Sequence, residues 1–62
     1  MSPEFQKWHA YYSEHFSRVS DDALQGYWYL FGRESEIASS PREEAAFAAV
    51  NYEMAHRASL AA

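Results

Sequence analysis

Residues 40–50 read Ser40-Pro41-Arg42-Glu43-Glu44-Ala45-Ala46-Phe47-Ala48-Ala49-Val50, and this stretch decides the fold. Ser40 is a helix N-cap, Pro41 takes the first helical position, where its missing N–H costs nothing, and Glu43 completes a capping box. The alanines that follow keep intrinsic helicity high, and their small side chains let a neighbouring helix approach closely. The pattern predicts a third helix at residues 41–59, which serves as a surface for bulky rings from the rest of the chain. Its expected apolar stripe is Phe47, Val50, Met54 and Ala58.

Upstream, a first helix is predicted at residues 3–18. Ser2 is its N-cap and Pro3 its first residue. Apolar side chains recur every three or four residues, which is the spacing of one face of a helix. The stripe consists of Phe5, Trp8, Tyr12, Phe16 and Val19, and Tyr11 falls outside it.

A second helix is predicted at residues 21–37. Ser20 is its N-cap, two acids occupy its first turn, and Val19 and Leu24 are placed to form a hydrophobic staple. Residues 27–31 are so aromatic that a buried strand is the alternative, although no second strand is available to pair with it. Gly32 either ends the helix or is tolerated for close packing, and continuation to Ile37 is favoured. The expected core residues are Leu24, Tyr27, Trp28 and Phe31.

Together these segments predict an all-α, single-domain protein over residues 1–62, with a helical hairpin and a packed third helix. So short a chain buries only about 60% of its unfolded surface, and it has no Cys with which to form a disulfide. Self-association, as a homodimer or an obligate complex, is therefore the expected reinforcement. The chain has no apolar run of about 20 residues and no signal-peptide pattern, which favours a cytoplasmic protein without a membrane partner.

The charge of the chain restricts the classes of molecule that it is expected to bind. Nine acidic residues outnumber five basic ones, for a formal net charge of −4, and the basic residues are scattered singly. Duplex binders need clustered Lys and Arg, so direct nucleic-acid binding is disfavoured. The acidic residues suit a basic face on another protein, and those expected at the surface are Asp21, Asp22, Glu34, Glu36, Glu43 and Glu44.

No motif for catalysis stands out. Four serines are explained as caps or loop residues: Ser2, Ser20, Ser39 and Ser40. No nucleophile elbow or phosphate-binding glycine loop is present. Glu53 and His56 form an E-x-x-H step, which di-iron bundles use in pairs together with further glutamates. A symmetric dimer with Glu34 or Glu36 is the arrangement that could supply such a site, whereas the simpler interpretation pairs Glu53 with Arg57 and leaves His56 at the surface. No enzyme activity, cofactor or metal is predicted.

The aromatic content is the strongest functional signal. The chain holds two Trp, five Tyr and four Phe, and nine of these rings lie between Phe5 and Phe31. Aromatic residues dominate protein interfaces, and a domain this small has little volume in which to hide them. The predicted partner-binding residues are those left at the edge of the core: Tyr11, Tyr29, Leu30, Ile37 and Tyr52. The alternative is that they pack in a larger core or are singly exposed.

These features favour a small acidic protein-interaction module that acts as a stoichiometric inhibitor or adaptor of a larger protein. In size and charge the profile is similar to that of phage-encoded inhibitors of host defence or nucleic-acid enzymes, although no motif identifies such a family. One alternative is a structural subunit that assembles only with itself. Another is a weak single-strand binder, for which Lys7 beside Trp8 is the sole candidate pair.

Overall fold

The computed structural model describes residues 2–37 and 40–61, with the side chains of residues 35–37 outside the description. Three helices account for the fold: α1 (Pro3–Phe16), α2 (Asp21–Ile37) and α3 (Pro41–Ala61). The all-α prediction is confirmed, the strand alternative for residues 27–31 is wrong, and α2 continues past Gly32 as expected. None of the described helices combines the length and apolarity needed to cross a lipid bilayer.

Each helix begins where its cap chemistry predicts. The Ser2 hydroxyl accepts a hydrogen bond from the N–H of Phe5 at 3.1 Å. The Ser20 hydroxyl accepts one from the N–H of Ala23 at 3.2 Å, and Ser40 does the same for Glu43 at 3.4 Å. These bonds satisfy N–H groups that have no partner within the helix, and they therefore fix the residue at which each helix begins. All three predicted helix starts are confirmed to the residue.

The end of α1 comes two residues earlier than predicted, at Phe16 instead of Arg18. After Phe16 the backbone tightens, since the N–H of Arg18 bonds the carbonyl of His15 and the N–H of Val19 bonds that of Phe16. The carbonyls of Phe16 and Val19 also accept hydrogen bonds from Arg57 of α3, each at 2.8 Å. A side chain from another helix therefore satisfies carbonyl groups that α1 leaves open at its end.

Successive helices are antiparallel, so the three helices form an up–down–up bundle. Trp28 of α2 bonds Asn51 of α3, and Asp21 at the start of α2 bonds Arg57 near the end of α3, so these two helices are antiparallel. The first helix runs parallel to α3, and its packing against α3 is the more extensive of the two contacts that α3 makes. Between α1 and α2 the contact is carried by rings, among them Tyr12 on Phe31 at 5.5 Å. The third helix is therefore the element that holds the other two together.

The core consists of rings from α1 and α2 set against small side chains of α3. Fully or nearly fully buried are Tyr12, Phe16, Leu24, Ala45, Ala46, Ala49 and Val50. Trp8, Val19, Tyr27, Phe31, Phe47 and Met54 pack around them and are partly buried. The predicted role of the alanines as a packing surface is confirmed, because large rings fit only where the facing residues are small.

Two details of the predicted core are wrong. Ala58 is exposed, and the buried face of α3 is centred on the alanines instead of on the line from Phe47 to Ala58. Trp28 is 40% exposed, and its indole N–H donates to the Asn51 side-chain oxygen at 3.1 Å. Trp28 therefore lies at the boundary between α2 and α3, with its polar edge satisfied there.

The two glycines of α2 have different surroundings. A β-carbon added at Gly32 would lie 3.3 Å from a ring carbon of Phe47, whereas one added at Gly26 would meet nothing within 4 Å. Gly32 therefore permits the close approach of α3. Gly26 has no packing role of this kind.

Valine substitutions at these two positions test that difference. Gly26→Val is expected to change the free energy of unfolding by less than about 0.5 kcal/mol, because valine is a better helix former than glycine and the site is open. Gly32→Val is expected to lower it by about 1–3 kcal/mol, because the side chain overpacks against Phe47. Urea denaturation followed by circular dichroism measures both, and equal effects at the two positions would contradict the packing role of Gly32.

Candidate functional site

A groove lined mainly by aromatic side chains of α1 and α2 is the candidate site. Trp8, Tyr11 and His15 recur at three- and four-residue spacing, so they share one face of α1. They line a groove of about 380 Å³ together with Tyr12, Phe16, Tyr27 of α2 and Arg42 of α3. We call these seven residues the aromatic groove. Ring contacts join α1 to α2, and the groove lies over these contacts.

Several ring pairs of the aromatic groove are arranged edge to face, and others are tilted or stacked. Trp8 and Tyr11 lie 5.8 Å apart at 86°, and His15 and Tyr27 lie 5.8 Å apart at 75°. Tyr12 forms part of the buried floor, and Tyr11 contacts it at 5.1 Å and 84°. Such contacts favour fixed ring positions. The groove therefore presents an ordered apolar surface, with the tyrosine and histidine at its rim exposed to solvent.

Arg42 places a positive charge at one side of the groove. Its guanidinium lies 4.9 Å from the centroid of the Trp8 ring, and its Nε–H donates to the Tyr12 hydroxyl at 3.0 Å. That hydrogen bond, followed by the Coulomb interaction with the same tyrosine, raises the pKa of Arg42. The ammonium of Lys7 lies 5.4 Å from the same Trp8 ring. Trp8 is therefore flanked by two cations at distances typical of cation–π contact.

Among the described residues predicted to bind a partner, no direct ring contact joins the three tyrosines, Tyr11, Tyr29 and Tyr52. Tyr11 belongs to the aromatic groove, but the rings of Tyr29 and Tyr52 contact Arg33 and His56 of their own helices. Leu30 is exposed on α2, next in sequence to Tyr29 and about 100° round the helix from it. Ile37 lies outside the described side chains. Their predicted exposure is confirmed for Tyr11, Tyr29, Leu30 and Tyr52, and their role in binding stays a prediction.

The predicted acidic surface is divided between the two ends of the bundle. Because α2 and α3 are antiparallel, the start of α2 lies at the opposite end from the start of α3. Asp21 and Asp22 occupy the first of these ends, and Glu43 and Glu44 the second, near Glu34. The side chain of Glu36 is not described. Asp21 already bonds Arg57 at 2.7 Å, so part of this charge supports the fold.

The E-x-x-H step of α3 has the simpler of the two predicted roles. Glu53 is buried and accepts a hydrogen bond from Arg57 at 2.8 Å, while His56 is exposed and stacks on Tyr52 with ring centroids 6.4 Å apart. No group of three or more metal-ligating side chains occurs among the side chains that the structure describes. Glu53 is thus a structural carboxylate, and its burial was not predicted.

Several groove residues were missed as site residues by the sequence interpretation. Trp8 and Tyr27 were assigned to the core, and His15 to no site. The signal was present, because Trp8, Tyr11 and His15 form a second stripe beside the core stripe of α1. Arg42 gave no such signal, since its position over Trp8 depends on how α3 packs against α1.

Chemically, the aromatic groove can hold a flat or apolar side chain against its rings and an anionic group against Arg42. Its volume falls within the range of about 300–1,000 Å³ that is usual for ligand sites. Comparison with known proteins adds no assignment, since no protein-family model matches the chain and neither a curated protein nor a solved structure gives a significant match.

Proposed function

We propose that this chain is a small protein-interaction module that acts as a stoichiometric inhibitor or adaptor of a larger protein, and that it binds through the aromatic groove. The observation that carries the proposal is the exposure of its rings. Of the two Trp, five Tyr and four Phe, only Tyr12 and Phe16 are buried, while Tyr11, Trp28, Tyr29 and Tyr52 are exposed. Exposed aromatic side chains are the residue types that contribute most to protein–protein binding.

The aromatic groove is favoured over the other exposed rings because its side chains are pre-organised. Trp8, Tyr11, Tyr12 and Tyr27 are held by contacts with one another or with neighbouring rings, so little side-chain freedom remains to be lost on binding. Among the described side chains, the rings of Tyr29 and Tyr52 each contact one residue of their own helix. Binding led by rings is expected to depend weakly on salt, unlike binding led by the acidic residues.

Three equally exposed tyrosines, one on each helix, give a matched test. Tyr11 is 59% exposed, Tyr29 61% and Tyr52 64%. Each is replaced by alanine, and each variant is used as bait to capture proteins from a cell lysate, with mass spectrometry to quantify the bound partner. Tyr11→Ala is expected to reduce capture about tenfold or more, as loss of an interface hot spot does. Its melting temperature should change little, because the side chain is exposed.

Tyr52→Ala is the control and is expected to leave capture unchanged. A loss centred on Tyr29→Ala would move the binding surface to the outer face of α2, and equal losses from all three variants would contradict a localised site. The structural alternative is separated by light scattering and by calorimetry. A subunit that only assembles with itself would show a melting temperature that rises with its own concentration and would capture no other protein.

A further inference from the structure

Building on the proposed function, we infer that the aromatic groove recognises an acidic segment of its protein partner. In this segment an Asp or Glu carboxylate binds Arg42, and a neighbouring apolar side chain lies against the rings of Tyr11 and Tyr27. The groove therefore selects a carboxylate next to an apolar residue.

The orientation of Arg42 is the first argument. The Trp8 ring supports one face of its guanidinium at 4.9 Å, and the Tyr12 hydroxyl holds its Nε–H at 3.0 Å. Within the described part of the chain, neither Nη group of Arg42 is hydrogen-bonded. A guanidinium fixed in this way presents the donors that a carboxylate accepts, and charge-assisted bonds of this kind are stronger than neutral ones.

The charges around the groove are the second argument. Glu14 and Arg18 form an ion pair at 3.0 Å beside Tyr11 and His15, so their charges cancel. Among the described side chains, which do not include that of Glu36, neither Arg42 nor Lys7 forms an ion pair with a carboxylate. Glu43, the acid next to Arg42 in sequence, attracts Arg42 through the Coulomb interaction but forms no ion pair with it among the described side chains. The described lining of the groove thus holds one cation, Arg42, and no carboxylate, on a protein whose net charge is −4.

An acidic peptide fits this arrangement better than a nucleic-acid strand. A strand needs a track of several cations to match successive phosphates, whereas the described lining of the groove holds Arg42 alone, with Lys7 as a second cation near the same Trp8 ring. Two cations beside an apolar surface match one or two carboxylates and an adjoining apolar side chain. The remaining carboxylates of this acidic chain would repel a polyphosphate.

Selection from a random dodecapeptide display library tests the inference with the full chain as bait. Peptides selected on the unmodified protein are expected to be enriched in Asp or Glu next to aromatic or aliphatic residues. Arg42→Gln should lower the affinity for these peptides about tenfold or more, as loss of a charge-assisted pair does. Arg33→Gln is the matched control, since Arg33 also lies over a tyrosine, at 5.9 Å, but outside the groove.

A second variant guards against misfolding of the first. Tyr12→Phe removes the hydroxyl that orients Arg42 but keeps both the ring and the charge of Arg42. It should therefore lower the affinity for the selected peptides by a smaller factor than Arg42→Gln does. Three outcomes would overturn the inference. In the first, the enriched peptides lack carboxylates but bind the Tyr11→Ala variant more weakly than the unmodified protein, which leaves the proposed function intact.

If no peptide is enriched at all, both the inference and the proposed role of the groove are contradicted. Tighter binding of an oligodeoxythymidylate than of any selected peptide would likewise overturn the inference.

Discussion

Arg57→Met is expected to abolish cooperative folding of this protein, although the sequence alone indicates an ordinary surface arginine at this position. Its guanidinium donates to Glu53 at 2.8 Å, to Asp21 at 2.7 Å and to the carbonyls of Phe16 and Val19 at 2.8 Å each. One side chain of α3 thus ties the end of α1 to the start of α2. Its removal leaves the carboxylate of Glu53 buried without its partner, which is among the most destabilising changes known.

The measurement is thermal unfolding followed by circular dichroism, with Arg18→Met as control. Arg18 also pairs with a glutamate four residues away, but the side chains of Arg18 and Glu14 are 76% and 70% exposed, against 23% and 11% for Arg57 and Glu53. The control should melt close to the unmodified protein, because exposed pairs contribute little. Similar melting of the two variants would show that the network around Arg57 does not hold the helices together.

The charge of Arg57 is insensitive to pH over the useful range. The hydrogen bond to Glu53, followed by the one to Asp21, raises the pKa of its guanidinium. A cation with a raised pKa contributes its stability fully below its unfolded-state pKa and loses it only as the pH rises through the folded value. For arginine that window is strongly alkaline, so no loss of this contribution is expected near neutral pH.

Phe16→Ala is expected to have the second large effect, with a loss of about 3–5 kcal/mol in the free energy of unfolding. The Phe16 side chain is fully buried and touches the rings of Tyr12 at 5.6 Å, Tyr27 at 5.2 Å and Phe31 at 6.1 Å. Alanine would leave a cavity where α1 meets α2. A domain of this length is stabilised by only about 3–9 kcal/mol in total, so a large fraction of the molecules should unfold.

Urea denaturation measures this loss, with Phe16→Leu as the partial replacement. Leucine keeps most of the buried apolar volume and should cost markedly less than alanine. Tyr29→Ala is the exposed control and should stay within about 0.5 kcal/mol of the unmodified protein. If alanine and leucine at position 16 were equally tolerated, the core would be packed more loosely than the structure indicates.

The helix starts could be predicted from sequence because a cap is a local interaction. Ser2, Ser20 and Ser40 each bond an N–H three residues ahead, and nothing outside that turn is needed. The end of α1 could not be predicted in the same way. It depends on hydrogen bonds from Arg57, which is 41 residues beyond Phe16 in the chain.

Which face of each helix is buried was only partly predictable, for a related reason. Periodicity identifies a stripe, but the neighbouring helices decide how that stripe is rotated. Trp28 was therefore misassigned to the core, and the burial of Glu53 was missed. Part of the aromatic groove was visible as the spacing of Trp8, Tyr11 and His15, whereas the contribution of Arg42 required the packing of α3 against α1.

The dominance of the α1–α3 contact has a consequence for synthesis on the ribosome. The hairpin of α1 and α2 is joined mainly by rings, and the alanine surface that completes the core belongs to the last helix. When only α1 and α2 have left the ribosome, their rings lack the alanine surface against which they are buried. Their contacts with α3 are non-local, and such contacts form only after the intervening chain has closed into a loop. The domain should therefore remain unfolded until α3 has left the exit tunnel.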